Sequence, residues 1–320
     1  MPLSEAYQHL GSLFFPHHLA ARDEVERQNT RFAHYTSAAV AMSIIQDPYV
    51  WMRNALTMND FSEMRHGLDC IIPAYKDPEV GGRLREFIEE IHPGLPNLFE
   101  ERFNSWLPHF EQNTFLTSLS RHDKSEDEYG RLSMWRAYGQ RNGVALILKN
   151  TPFMAETDQL KAVSSPVSYL TPQQYSARLK DIIDGLIVRR DEVAALDRDI
   201  LFGSLFVMFK TDMLCTKHPG FAEEQEWRVY YSPGADPSPV IEPAFAVVEG
   251  VPQQIHRIPL RDDPANGLVG AGINSLLDRI IIGPSSQPLT MFNAFVGLLE
   301  KAGVENAAER VFVSDIPLRT

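Results

Sequence analysis

Four short runs hold residues whose types and spacing could do chemistry. In "FAHYTSAAVAMSIIQD", His34, Tyr35 and Thr36 stand in a row before an apolar helical pattern. An imidazole, a phenol and a hydroxyl at a strand-to-helix corner could wall a site for a ribose or a nicotinamide; equally, Thr36 or Ser37 could simply cap the helix. In "NALTMNDFSE", Asn54, Asn59, Asp60 and Glu63 offer ligand contacts, yet Asn-Asp pairs form turns, and Asp60 to Glu63 has capping-box spacing. In "FLTSLS" and "SMWRAYG", Ser118 and Ser120 share a strand face, and Trp135 and Tyr138 are neighbours on one side of a short helix. Core packing explains those aromatics as well as stacking on a base or a nicotinamide does. The fourth run, "FAEEQEWRVYY", crowds Glu223, Glu224 and Glu226 at the mouth of an apolar and aromatic strand, with Arg228 on the same face as Glu226. A same-face ion pair accounts for it, and so does a carboxylate placed as a general base or to stabilise an oxocarbenium ion.

Several chemistries lack their signatures. The chain has no "GxxxxGK" loop, no "GxGxxG", no "HExxH" and no "GxSxG". His17, His18 and His218 have no partners at metal-ligand spacing, so no metal is expected. Cys70 and Cys215 are the only cysteines and read as two reduced thiols.

The elements that must position these residues follow from periodicity. A strand is expected at "RFAHYT", then a helix over "SAAVAMSIIQ" with Val40, Ile44 and Ile45 on its buried face. Further strands are expected at "YVWMRNA", "NTFLTSLS", "GVALILKN", "EWRVYYS", "DRIIIGP" and "ERVFVSDIPL". In "EWRVYYS", Trp227, Val229 and Tyr231 take one face and Arg228 and Tyr230 the other. A short helix "RLSMWRAYG" follows Glu126, Asp127 and Glu128, whose charges complement its positive end, and Gly139 stops it. Late in the chain, "PLTMFNAFVGLLEKAG" reads as a helix with Pro288 in its first turn and Ser286 as its cap. These elements predict an α+β fold with a mixed, largely antiparallel central sheet and helical insertions. Residues 1–30 form an N-terminal helical extension, and residues 31–320 form one domain with a helical insertion at about 171–216.

Bulk properties narrow the function. A net charge of −12 disfavours a general duplex-DNA binder, which recruits phosphate through a basic surface. The N-terminus lacks a basic leader with an apolar core, and no stretch reaches the roughly 18 apolar residues of a membrane span, so a cytoplasmic protein without a membrane partner is expected.

Taken together, "HYTS", "NALTMNDFSE", "FLTSLSRHDKSEDEYGRLSMWRAYGQRNGVALIL", "KHPGFAEEQEWRVYY" and "DRIIIGP" resemble the bacterial family DUF2971, over roughly Phe32 to Pro317. The family's "CFS" cysteine is replaced in "FLTSLS", which argues against an obligatory thiol nucleophile. The order of residues also looks like a distant ADP-ribosyltransferase-type fold. That likeness implies NAD as substrate, His34 on the nicotinamide-side ribose, Tyr35 or Tyr138 stacked on nicotinamide, and Glu226 on the ribose 2′-hydroxyl. Thr36, Asn54, Asn59, Ser118, Ser120, Trp135, Tyr138 and Arg228 would complete the cofactor site, with Arg31, Arg53 or Arg121 on the pyrophosphate.

The expected activity is therefore cleavage of the nicotinamide-ribose bond, as an ADP-ribosyltransferase with a protein or nucleic-acid acceptor or as an NAD glycohydrolase. The alternatives are a non-catalytic module binding a nucleotide or a nucleic-acid end, and a structural partner in a defence or toxin cassette.

Overall fold

A computed structural model describes residues 5–57, 61–139, 142–155, 159–248 and 250–317. Its strands are β1 (Arg31–Ser37), β2 (Tyr49–Asn54), β3 (Phe115–His122), β4 (Gly143–Leu148), β5 (Ala162–Pro166) and β6 (Ser168–Tyr169). They continue with β7 (Thr216–Lys217), β8 (Glu226–Tyr231), β9 (Glu242–Val248), β10 (Val251–Pro259), β11 (Leu277–Ile282) and β12 (Val311–Val313). Ten of them form one sheet with a path β12-β11-β4-β1-β3-β2-β10-β9, to which β8 and then β5 add beside β3. Only β11 and β12 pair in parallel within it, so the α+β, mostly antiparallel expectation holds. The β9–β10 hairpin lies outside the strands that periodicity marks in the sequence.

The helices are α1 (Glu5–Phe14), α2 (Pro16–Gln28), α3 (Ala38–Gln46), α4 (Phe61–Lys76), α5 (Arg83–Ile91), α6 (Leu95–Asn113) and α7 (Leu132–Met134). After them come α8 (Pro172–Val188), α9 (Arg190–Ala194), α10 (Arg198–Cys215), α11 (Ile273–Leu276) and α12 (Pro288–Lys301). Alternation along the strands gives each sheet face its own cover. The front face shows Leu116 and Tyr230 to a large helical core built from α1, α4 to α6 and α8 to α10. The back face shows Phe32, Leu119, Leu146 and Trp227 to α3 and α12.

Local details differ from expectation for physical reasons. Ser37 caps α3, its Oγ accepting from Val40 N at 3.3 Å, but Val40 itself faces solvent and Ala41 joins Ile44 and Ile45 in the core. Gln287, not Ser286, precedes α12 and no side chain caps it. "RLSMWRAYG" divides into α7 and a wider π-type turn over Trp135–Gly139. The acidic run before it does not serve the helix end: Asp123 and Glu126 form a capping box of their own, and Asp127 binds Arg31 at 2.5 Å.

One feature of the topology decides the rest. On one edge of β3, Ser120–His122 pair with β1, whereas Phe115 and Leu116 pair with β2. The opposite edge is lined by β8 from Phe115 to Ser120. The sheet therefore forks along Thr117–Leu119, with β1 departing towards β4 and β2 towards β10.

Candidate binding cavity at the sheet fork

His34 fills the fork. It is the β1 residue directly after the last one paired with β3, and its Nδ1 lies 3.4 Å from the Ser118 carbonyl. A carbonyl can only accept, so this contact places the proton on Nδ1 and leaves Nε2 as an acceptor. Burial lowers the imidazole's pKa, with the Ser118 contact opposing, so the ring is neutral near pH 7. No hydrogen bond reaches Nε2 among the described residues.

The ring opens into a back-face cavity of about 100 Å³. Ile44, Val50, Leu119, Leu146, Phe153 and Ile258 make its walls apolar. Besides His34, the polar groups are the hydroxyls of Thr117 and Ser164, and Ser164 Oγ accepts from Trp227 Nε1 at 2.7 Å. A concave apolar site with a few convergent polar groups is the ordinary form of a small-ligand pocket.

Glu226 is elsewhere. Ser118, Glu226, Arg228 and Tyr230 occupy the front face, while Thr117, Leu119, Trp227 and Val229 occupy the back. Both oxygens of the carboxylate are engaged. Oε1 accepts from Ser118 Oγ at 2.5 Å and Arg228 Nε at 2.7 Å; Oε2 accepts from Arg228 Nη2 at 3.1 Å and Lys217 Nζ at 3.2 Å. Lys217 also binds Glu224 at 2.7 Å, and Arg228 donates to the Leu214 carbonyl. Burial alone would raise the Glu226 pKa, but Arg228, then Lys217, with hydrogen bonds from Arg228 and Ser118, hold it down to about 2. Two carboxylates against two cations make a closed, buried network, the arrangement expected of structure more than of a poised base.

The other residues singled out by the sequence disperse. Tyr35 points to the front face, its hydroxyl accepting from Arg131 N at 2.8 Å and its ring edge-on to Trp135 at 4.8 Å. Trp135 is buried and donates to the Tyr129 carbonyl at 2.8 Å, whereas Tyr138 is 39% exposed. Ser120 is buried with Oγ 3.8 Å from Met134 Sδ. Asn54 locks a turn, donating to the Gln112 carbonyl at 2.6 Å and accepting from Leu56 N at 2.9 Å. Thr36 pairs with Val144 in the β1–β4 ladder, and Asn59 lies outside the described residues.

The three arginines assigned to a pyrophosphate are otherwise employed. Arg31 binds Asp127 and Asp278, Arg121 approaches Glu24 at 3.4 Å, and Arg53 donates to the Thr57 carbonyl at 3.1 Å. Sequence reasoning missed Lys217, Thr117 and Ser164. The alternation of "NTFLTSLS" does put Thr117 on the face of Phe115 and Leu119, though it does not mark it as a site residue; Lys217 and Ser164 carry no local signal.

Residues 134–229 match the family described as Protein of unknown function (DUF2971). The DUF2971 segment starts at the Trp135 turn, crosses β4 and the helices α8 to α10, and ends within β8. It holds Glu226, Arg228 and Lys217 but not His34 or Thr117, so it covers the front-face network and one rim of the cavity. Neither a curated protein nor a solved structure matches the chain. Among the described residues no cluster of His, Cys, Asp or Glu is placed to hold a metal, and no helix is long and apolar enough to cross a membrane.

Proposed function

We propose that this protein is a small-molecule binding domain that takes one flat, largely apolar ring bearing a hydrogen-bond donor into the fork cavity. The observation that carries it is His34: a neutral imidazole with Nδ1 spent on Ser118 and Nε2 unbonded, facing an apolar space. An amide or hydroxyl on the ring would donate to Nε2, and the Thr117 hydroxyl stands ready to donate to a carbonyl beside it. Size decides between a ring and a dinucleotide. A dry apolar cavity of about 150 Å³ takes up benzene, so about 100 Å³ sets a single ring as the upper limit and excludes the whole of NAD.

The geometry lends no support to Glu226 as the carboxylate opposite His34, because the two face away from one another across the sheet. Nicotinamide remains a fitting ring, as the end of NAD or alone. Thermal-shift and calorimetric titrations with benzamide, nicotinamide, toluene, NAD and mononucleotides test the reading on wild type and His34→Phe. We expect benzamide or nicotinamide to bind, toluene to bind more weakly, and His34→Phe to lose the difference. Equal affinity of both proteins for every probe rejects the cavity. Steady release of nicotinamide from NAD by wild type, abolished by His34→Phe, would instead make it a catalytic site.

A further inference from the structure

Three helices and the outer edge of β5 enclose a second space that neither the network nor the fork cavity uses. Among the described residues, strand β5 pairs with β8 alone. Over its free edge α1, α2 and α10 leave a groove of about 310 Å³. Each helix turns one stripe into it: Tyr7, Leu10 and Gly11 from α1; Phe15, His18, Leu19 and Arg22 at the start and along α2; Ile200, Gly203, Ser204 and Val207 from α10. Those spacings of three and four are what one helix face presents. Ile200 and Val207 are 44% and 42% exposed, an apolar stripe that the fold itself does not cover. A volume near 300 Å³ falls at the lower end of the range for ligand pockets.

Among the described residues lining it, the groove carries one cation, Arg22, on an acidic protein. His18 and Arg22 are a turn apart on α2, and Arg178 and His17 lie close enough to act electrostatically on His18. Arg22 donates one Nη to the Met154 carbonyl and sets Nε 3.8 Å from Glu26, leaving its other Nη unbonded among the described residues. The first turn of α2 has no acidic side chain and no side-chain cap, so its dipole adds to the same positive end.

We infer that this groove binds an amphiphilic monocarboxylate, with its apolar chain along Leu10, Leu19, Ile200 and Val207 and its carboxylate at Arg22 and His18. A chain fills the exposed stripe, and a single anion answers Arg22, a charge that a groove for a neutral lipid or an apolar peptide would not need, while the neutral His18 imidazole can donate a hydrogen bond to it. The site is separate from the fork cavity, from which Trp227 and Ser164 divide it.

Gly203 supplies the decisive variant. A Cβ built there meets nothing within 4 Å, so Gly203→Leu starts from open space at the groove wall and extends a side chain into it, and it also favours helix. The full chain is titrated by calorimetry with decanoate, decanol and decyltrimethylammonium, each below its micellar concentration. We expect decanoate to bind at least ten times more tightly than decanol and the cation not to bind. Gly203→Leu should abolish decanoate binding, and Arg22→Gln should erase the preference over decanol. If Gly203→Leu folds poorly, Ile200→Gln at an exposed position makes the apolar stripe polar and should weaken decanoate binding instead. Equal affinity for decanoate and decanol, or binding unchanged in the groove variants, overturns the inference. So does a dimer of the free protein, seen by light scattering, that dissociates in Gly203→Leu, because a second copy would then be the occupant.

Discussion

His34 and Glu226 lie on opposite faces of one sheet, one strand apart on either side of β3. The imidazole reaches the Ser118 carbonyl in the fork, and the carboxylate takes the Ser118 hydroxyl on the front. The same serine thus touches both, through its backbone on one side and its side chain on the other. Two residues that share a neighbour in this way cannot grip one ligand, because the sheet itself stands between them. This separates the binding proposed at His34 from the stability role argued for the Glu226 network.

Glu226→Gln should be a stability variant. It leaves Lys217 and Arg228 facing a neutral amide in a buried site, and breaking one partner of such a pair costs about 3–5 kcal/mol. Chemical denaturation should show a loss of that order, while benzamide affinity of the folded fraction stays within about twofold. Restoring the balance with Lys217→Met in the same chain should recover part of the loss. A Glu226→Gln protein of full stability with no ligand binding would reverse the assignment.

Gly130→Ala should destabilise strongly through Trp135. Gly130 has φ +70°, and a Cβ there would lie 2.6 Å from Trp135 Cζ2. Gly283 is equally tight, with a Cβ 2.8 Å from Trp135 Cε3. We expect each alanine variant to lose roughly 1–3 kcal/mol in denaturation experiments, from overpacking and, at Gly130, backbone strain. An unchanged midpoint would mean that the glycines around this tryptophan are not a packing requirement.

Much of this framework is visible in the sequence, and the site is not. Strict alternation in "NTFLTSLS" and "EWRVYYS" marks β3 and β8 and assigns their faces correctly, including Glu226 with Arg228. What alternation within a strand cannot give is the register between strands, and register alone decides that His34 shares a face with Leu119 and Trp227 and not with Glu226. Lys217 reaches Glu226 from the two-residue strand β7, whose length is too short for any periodic signal. The fork is likewise a property of three strands at once. The "MWRAYG" run reads as a stacking site by composition, yet its tryptophan is enclosed by Gly130, Gly139 and Gly283, the last of them distant in the chain.

His256→Leu should leave stability unchanged or raise it. The imidazole is 4% exposed between Phe115, at 4.3 Å between ring centroids, and Tyr231, and neither ring nitrogen has a hydrogen-bond partner among the described residues. A buried polar group without a partner costs about 1–3 kcal/mol, so an apolar residue of similar size removes that cost. A gain of up to about 2 kcal/mol in urea denaturation is expected. A loss exceeding 1 kcal/mol would indicate that the nitrogens hold an ordered water.

Acid should weaken the fold in two separate windows. Burial, then the nearby Arg178 and His17, pushes the His18 pKa down from 6.5 to about 4. A base whose folded pKa is depressed stabilises the native state above its unfolded pKa, and that stability is lost as pH falls from about 6.5 towards 4. Because His18 is still partly open to the groove, its share is on the order of 1–2 kcal/mol and not the full value of the shift. Glu226, held down to about 2, acts lower: its contribution is complete above about 4.5 and disappears between there and 2. Denaturation midpoints measured from pH 7.5 to 3 should therefore fall in two steps. His18→Gln should flatten the upper step and leave the lower one. If decanoate occupies the groove, its carboxylate should raise the folded His18 pKa back towards 6.5 and so shrink the upper step in wild type, with no such change in Gly203→Leu.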